Sequence, residues 1–156
     1  MLKVYNTMTR RKEEFKPLKK GEVSIYGCGV APYSHPHIGN ARPFVTWDVI
    51  RRYFAKKGYK VRYIQNFTDV DDKIINTANK EGVTWKEISD RYIKAYFEAM
   101  DALNVRHADV YPRVSETMPD IIAMVQKLID KGYAYVVDNG DVYYSVEKFS
   151  HYGRLS

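Results

Sequence analysis

A single cysteine, Cys28, stands among the 156 residues. It leaves no internal disulfide to form and nothing that asks for an oxidising compartment. Glycine and proline are sparse, at nine and six, and there is neither a low-complexity tract nor a repeating period, which excludes linker, collagen-like and solenoid readings. No apolar run approaches the roughly 20 residues of a bilayer span. The opening residues Lys3, Arg10, Arg11, Lys12, Glu13 and Glu14 lack the apolar centre of a signal peptide. A soluble cytoplasmic protein with no membrane partner is expected. Hydrophobic residues make up 45% of the chain, enough to bury one ordinary core with a small appendage. The formal charge of +6 favours polyanions such as ATP or RNA. The lysines are scattered, however, so a solvated surface accounts for the charge equally well.

Periodicity supplies the organisation. Residues 22–26 read as a β-strand ending at Gly27-Cys28-Gly29, where paired glycines allow a sharp turn beside the thiol. After a loop with Pro32 and Pro36, apolar residues from Ile38 to Phe54 recur at helical spacing up to Gly58. Asn40 is the expected N-cap, with Pro43 in the first turn. Residues 60–67 alternate as a second strand. A strand, helix, strand unit lays its strands parallel and gathers ligands at their carboxyl ends. Cys28 and His37 follow the first strand; Thr68, Asp69, Asp71 and Asp72 follow the second.

Beyond them, residues 71–81 read as a helix stopped by Gly82. Thr84 and Glu87 form a capping box that opens a helix to about Leu103. Residues 104–115 read as irregular. Pro119 starts a helix that ends at Gly132, and Asp138-Asn139-Gly140 marks a hairpin between residues 134–137 and 141–144. The expected class is α/β: a Rossmann-like parallel sheet over residues 1–113, then the start of an inserted α+β connective subdomain over residues 114–156.

The segment Ser34-His35-Pro36-His37-Ile38-Gly39-Asn40 sets a histidine, a glycine and an amide at a loop-to-helix junction. Free N–H groups and a partial positive charge at a helix start suit phosphate, and Gly39 permits close approach. His37 and Asn40 can donate to phosphoryl oxygens as charge builds. A loop histidine and a capping asparagine without a ligand fit the same four residues. Cys28 read alone is a buried or idle thiol. Asp69 reads as a helix cap with Asp71 and Asp72 beside the helix's positive end, more than the three read as a metal site. Trp47 reads as packing, Asp48 as surface. The tyrosines Tyr133, Tyr135, Tyr143 and Tyr144 read as cross-strand pairs more than as an RNA-stacking platform.

His37-Ile38-Gly39-Asn40 resembles the HIGH signature of class I aminoacyl-tRNA synthetases in its HIGN form. With Gly27-Cys28-Gly29 upstream and the run from Tyr63 to Asn76, Tyr-Ile-Gln-Asn-Phe-Thr-Asp-Val-Asp-Asp-Lys-Ile-Ile-Asn, the chain resembles the cysteinyl-tRNA synthetase family over essentially its whole length. The resemblance implies a cysteine-tRNA ligase that uses ATP, with its Mg2+, to form cysteinyl-adenylate and then charges tRNA(Cys). It implies His37 and Asn40 as catalytic residues, and Gly29, His37, Gly39 and Asn40 against ATP. Cys28, Gly29 and Thr68 would contact L-cysteine, and Cys28 would be one of four zinc ligands. Zinc takes thiolate far better than hydroxyl, so such a site would favour cysteine over serine. His35 is taken as a loop residue. A monomer is expected. Val30-Ala31-Pro32-Tyr33-Ser34 departs from the family's common Pro-Thr-Val-Tyr, so the hydrogen bond to ATP that a threonine would make has no counterpart at Ala31. By the same resemblance the remaining zinc ligands, a KMSKS-like loop and an anticodon-binding region lie beyond these residues, and little activity is expected from them alone. A mycothiol-type cysteine ligase, a non-catalytic nucleotide-binding module and a general RNA-binding domain are the rival readings.

Overall fold

The computed structural model describes residues 2–155. In chain order its elements are β1 (Lys3–Asn6), β2 (Arg11–Glu14), β3 (Glu22–Val30), α1 (Ile38–Lys56), β4 (Lys60–Phe67), α2 (Asp72–Glu81), α3 (Trp85–Ala102), α4 (Met118–Asp130), β5 (Ala134–Val136) and β6 (Val142–Tyr144), followed by a single 3-10 turn at Val146–Lys148. They fall into two units. One is Pro17–Thr117; the other joins the described residues of Met1–Lys16 and Met118–Ser156. The division between the units falls after Thr117, and the first sixteen residues group with the C-terminal segment.

The larger unit is organised by the parallel pairing of β3 with β4, from Glu22 opposite Lys60 to Gly27 opposite Gln65. Paired residues share a face, so Val23, Ile25 and Gly27 lie on the side of Tyr63 and Gln65. That face carries the core. Phe67 and Tyr96, exposed by only 1% and 2%, pack edge to face with centroids 5.2 Å apart, and Phe44 of α1 meets Tyr96 at the same separation. Ala41, Ile93, Met100 and Val105 close the cluster. Burying such aromatics stabilises the fold by about 2–3 kcal/mol each. A second cluster of Ile74, Ala78 and Ile88 joins α2 to α3.

Tyr63, Gln65 and Tyr96 pair their polar groups inside this core, as low-dielectric surroundings require,. The Tyr63 hydroxyl donates to Gln65 Oε1 at 3.1 Å, and Gln65 Nε2 donates to the Tyr96 hydroxyl at 2.7 Å. Burial raises the pKa of Tyr63 to about 12 and pushes that of Tyr96 up as well.

Residues 104–115 form no regular element, as expected, but part of the stretch is bridged to the edge of β4. The Gln65 and Phe67 N–H groups donate to the carbonyls of Val110 and Pro112, and the Asp109 N–H donates to the Tyr63 carbonyl. Parallel bridges join Ile64 to Val110 and Phe67 to Arg113. Proline and arginine in this stretch hide the alternation that would mark a strand. The segment is held from α1: Arg51 Nη1 and Nη2 donate to the carbonyls of Arg106 and His107 at 2.7 and 2.6 Å, and Arg52 Nη2 to that of Asn104 at 2.9 Å. Asp48, read from sequence as a surface residue, is 6% exposed. It pairs with Arg52 Nε at 2.7 Å and accepts the Arg106 N–H at 3.3 Å, which compensates its burial.

Three local expectations change. Gly27, Cys28 and Gly29 do not turn the chain; they lie inside β3, and neither glycine has positive φ. What the glycines permit is close approach. A Cβ on Gly27 would lie 2.4 Å from the Tyr63 hydroxyl, and one on Gly29 would lie 1.6 Å from the Asn66 carbonyl oxygen. Helix α1 starts earlier than expected, with His37 as N-cap, Asn40 at the third helical position and Pro43 inside the helix. Pro43 has no N–H for the Gly39 carbonyl, a local cost that the buried face of α1 outweighs. Asp71, not Asp69, caps α2, accepting the Lys73 N–H at 2.8 Å, and Gly82 ends it in the left-handed conformation. The capping box of Thr84 and Glu87 on α3 is present as expected.

In the other unit α4 leads into the antiparallel pair of β5 and β6, with Tyr135 opposite Tyr143 and their rings stacked at 6.1 Å. The expected hairpin and its cross-strand tyrosines are both observed. β1 and β2 form a further antiparallel hairpin that the charged opening sequence did not suggest.

Two measurements test this account. Gly29→Ala should lower unfolding free energy by about 3 kcal/mol, the upper part of the usual overpacking range, because its methyl group meets backbone; denaturant titration reads the loss. The raised Tyr63 value means the folded state keeps its proton more tightly than the unfolded state does. Its contribution is complete below pH 10 and is lost as pH rises from 10 to about 12,. Urea midpoints should fall across that window, and less so in Tyr63→Phe.

Candidate functional site

Past Gly27 and Gln65 the β3–β4 register slips, and pairing resumes at Val30 opposite Phe67. Cys28 and Gly29 together therefore oppose Asn66 alone, which is the arrangement of a β-bulge. The extra residue removes a regular backbone acceptor at this level. Asn66 replaces it: its Oδ1 accepts the Gly29 N–H at 2.9 Å. Beyond the bulge the Thr68 N–H donates to the Val30 carbonyl, and Asn66 Nδ2 reaches Thr68 Oγ1 over a long 3.5 Å. The Cys28 thiol is exposed. Cys28, Gly29 and Thr68 are thus brought to one carboxyl edge of the parallel pair.

The start of α1 opens from the loop that leaves the same edge. His37 Nδ1 accepts the Gly39 N–H at 3.0 Å, and Asn40 Oδ1 accepts the His37 N–H at 3.1 Å. The Asn40 N–H turns to the His37 carbonyl at 2.8 Å. The helix start is therefore capped by its own side chains, where sequence suggested free backbone donors. Gly39 is needed for the same reason, since a Cβ there would lie 2.7 Å from the His37 ring. With Nδ1 accepting, the proton of the neutral ring sits on Nε2. Both acceptor atoms are spent on the backbone, which leaves His37 Nε2–H and the Asn40 amide hydrogens as donors for another molecule. His37 and Gly39 are exposed and Asn40 half-buried.

The connecting loop is held down by aromatic contacts. His35 packs edge to face on Tyr92 of α3 at 5.3 Å, in accord with its reading as a loop residue, and Lys73 of α2 lies over the Tyr33 ring at 5.2 Å. Pro32, Tyr33, His37, Asn40, Tyr92 and Tyr96 line a narrow hollow beside the helix start. Ala31 is half-buried at its rim.

The three carboxylates after β4 separate in role. Asp69 is 1% exposed and accepts both the N–H and the hydroxyl of Ser115, at 2.9 and 2.5 Å. Asp71 caps α2 and Asp72 occupies its first turn. Among the described residues no three His, Cys, Asp or Glu side chains are grouped to hold a metal ion. Cys28 has the right chemistry for one zinc bond, but a zinc centre made from these residues alone does not fit. Sequence reading passed over Asn66 and Ser115; the only hint was a polar residue on the half-buried side of a strand, which periodicity cannot distinguish from a surface position.

This parallel architecture is shared with solved class I synthetases. The structure of Mycobacterium tuberculosis methionyl-tRNA synthetase in complex with methionyl-adenylate superposes with a TM-score of 0.65 at 20% identity, covering 73% of this chain and 23% of that one. The family model for the catalytic domain of tRNA synthetases class I (C) matches residues 14–156, and the chain belongs to that family. The cysteine–tRNA ligase of Caldicellulosiruptor saccharolyticus is 57% identical over 155 residues, covering 99% of this chain and 33% of the relative. That of Levilactobacillus brevis is 58% identical over 156 residues, covering 100% and 33%. The chain thus spans about a third of the length of the curated relatives it matches. No helix among the described residues is long and apolar enough to cross a membrane.

Nitrogen-15 chemical shifts of His37 should report the Nε2-protonated tautomer in the neutral ring. A dominant Nδ1–H signal would contradict the cap described here.

Proposed function

We propose that the chain forms the cysteine- and nucleotide-handling part of a cytoplasmic, monomeric cysteine-tRNA ligase. The enzyme joins the carboxylate of L-cysteine to the α-phosphate of ATP, supplied with Mg2+, releasing pyrophosphate, and then passes the cysteinyl group to the end of tRNA(Cys). Residues 1–113 serve as the nucleotide-binding half, and residues 114–156 begin the connective subdomain. The observation that carries the reading is the capped start of α1, where His37 Nε2–H and Asn40 Nδ2 remain to donate after their acceptor atoms are satisfied. Fixed donors of this kind stabilise charge that builds on phosphoryl oxygens during adenylate formation. Gly29 and Gly39 contribute backbone beside the nucleotide, their missing side chains leaving room for the Asn66 carbonyl and the His37 ring. Cys28 and Thr68 meet the substrate cysteine, and Cys28 gives one bond to a zinc ion whose other ligands lie outside this chain.

Cysteine-dependent exchange of pyrophosphate into ATP by the full-length enzyme tests the proposal. His37→Ala and Asn40→Ala should each lower kcat by about 10²–10³-fold, the usual cost of a lost transition-state donor, with little change in KM for cysteine. Residues 1–156 alone should not support exchange. Exchange driven equally well by serine, or transfer to an amino sugar instead of tRNA, would overturn the assignment.

A further inference from the structure

We infer that Asn66 is a positioning residue for the substrate cysteine, acting through the bulge that presents Cys28 and through the hydroxyl of Thr68. The inference rests on the functional reading above and adds to it a residue with no direct part in the chemistry. A bulge at the end of a parallel pair re-aims a side chain, at the cost of a ladder hydrogen bond. Here the N–H that loses its regular partner belongs to Gly29, directly after Cys28. Asn66 Oδ1 receives it at 2.9 Å, while the glycine brings the two backbones so close that a Cβ would lie 1.6 Å from the Asn66 carbonyl oxygen. One residue thus fixes the bulge by its main chain and by its side chain.

The opposite end of the same amide determines Thr68. With Oδ1 occupied by Gly29, Nδ2 is the end that faces Thr68 Oγ1 at 3.5 Å. An amide nitrogen can only donate, so the threonine oxygen accepts there and its own hydrogen is directed elsewhere, toward an acceptor group of the substrate. Asn66 is half-buried, which limits competition from water for both contacts. A single side chain therefore couples the position of the sulfur donor to the polarity of the hydroxyl. Reversal of the amide would break both links.

The test uses steady-state pyrophosphate exchange by the full-length enzyme. Asn66→Ala removes both contacts and should raise KM for cysteine about tenfold, equivalent to one well-placed hydrogen bond, while KM for ATP stays within about twofold. Asn66→Asp keeps an acceptor for the Gly29 N–H but offers Thr68 no donor. It should raise KM for cysteine by less than Asn66→Ala does, again without affecting ATP. A merely structural role would move both KM values or neither. If Asn66→Ala does not fold, Asn66→Asp decides by the same pair of constants. Unchanged KM for cysteine in the folded variants, or parallel changes for cysteine and ATP, would overturn the inference while leaving the ligase reading intact. Absence of exchange by the wild-type enzyme would remove both.

Discussion

A one-residue slip in an otherwise regular parallel ladder governs the functional edge of this protein. Up to Gly27 the two strands run in register and bury their shared face against α1 and α3. Beyond it, Cys28 and Gly29 oppose a single residue. The regular part gives rigidity, because Tyr63, Gln65 and Phe67 are locked into the aromatic core and its internal hydrogen bonds. The irregular part places an exposed thiol at the end of a stiff strand, where its direction is set by backbone geometry instead of by loop conformation.

The start of α1 follows a comparable logic. His37 and Asn40 each contribute an acceptor to the helix's own N–H groups, so their orientations are fixed by the helix start itself. A donor fixed in this way need not reorganise when charge develops next to it. Gly39 is part of the same arrangement, because its missing side chain is the space that the His37 ring occupies.

Much of this was legible in the residues. The helical spacing after Ile38, the alternation of residues 60–67, the capping box of Thr84 and Glu87, and the hairpin at Asp138-Asn139-Gly140 each depend on short-range chemistry, and each element is observed. What was not legible depends on partners distant in sequence. Asp69 looks like a helix cap until Ser115, 46 residues later, claims its carboxylate. Asp48 looks solvated until residue 106 is seen beside it. The stretch around Val110 has no strand pattern, because hydrogen bonds to β4 and guanidinium contacts hold it, not its own alternation. Gly27 and Gly29 signal a special backbone position, but composition alone cannot separate a turn from a close approach.

The paired arginines of α1 carry a consequence for how this corner of the fold tolerates change. Arg51 reaches two successive carbonyls with one planar group, while its face lies 4.6 Å over the Tyr63 ring. Lysine would preserve the charge, but its one nitrogen cannot span two carbonyls and stack at the same time. Shape, more than sign, is what the segment after α3 demands of its neighbour, and a charge-preserving exchange there is a structural change in disguise.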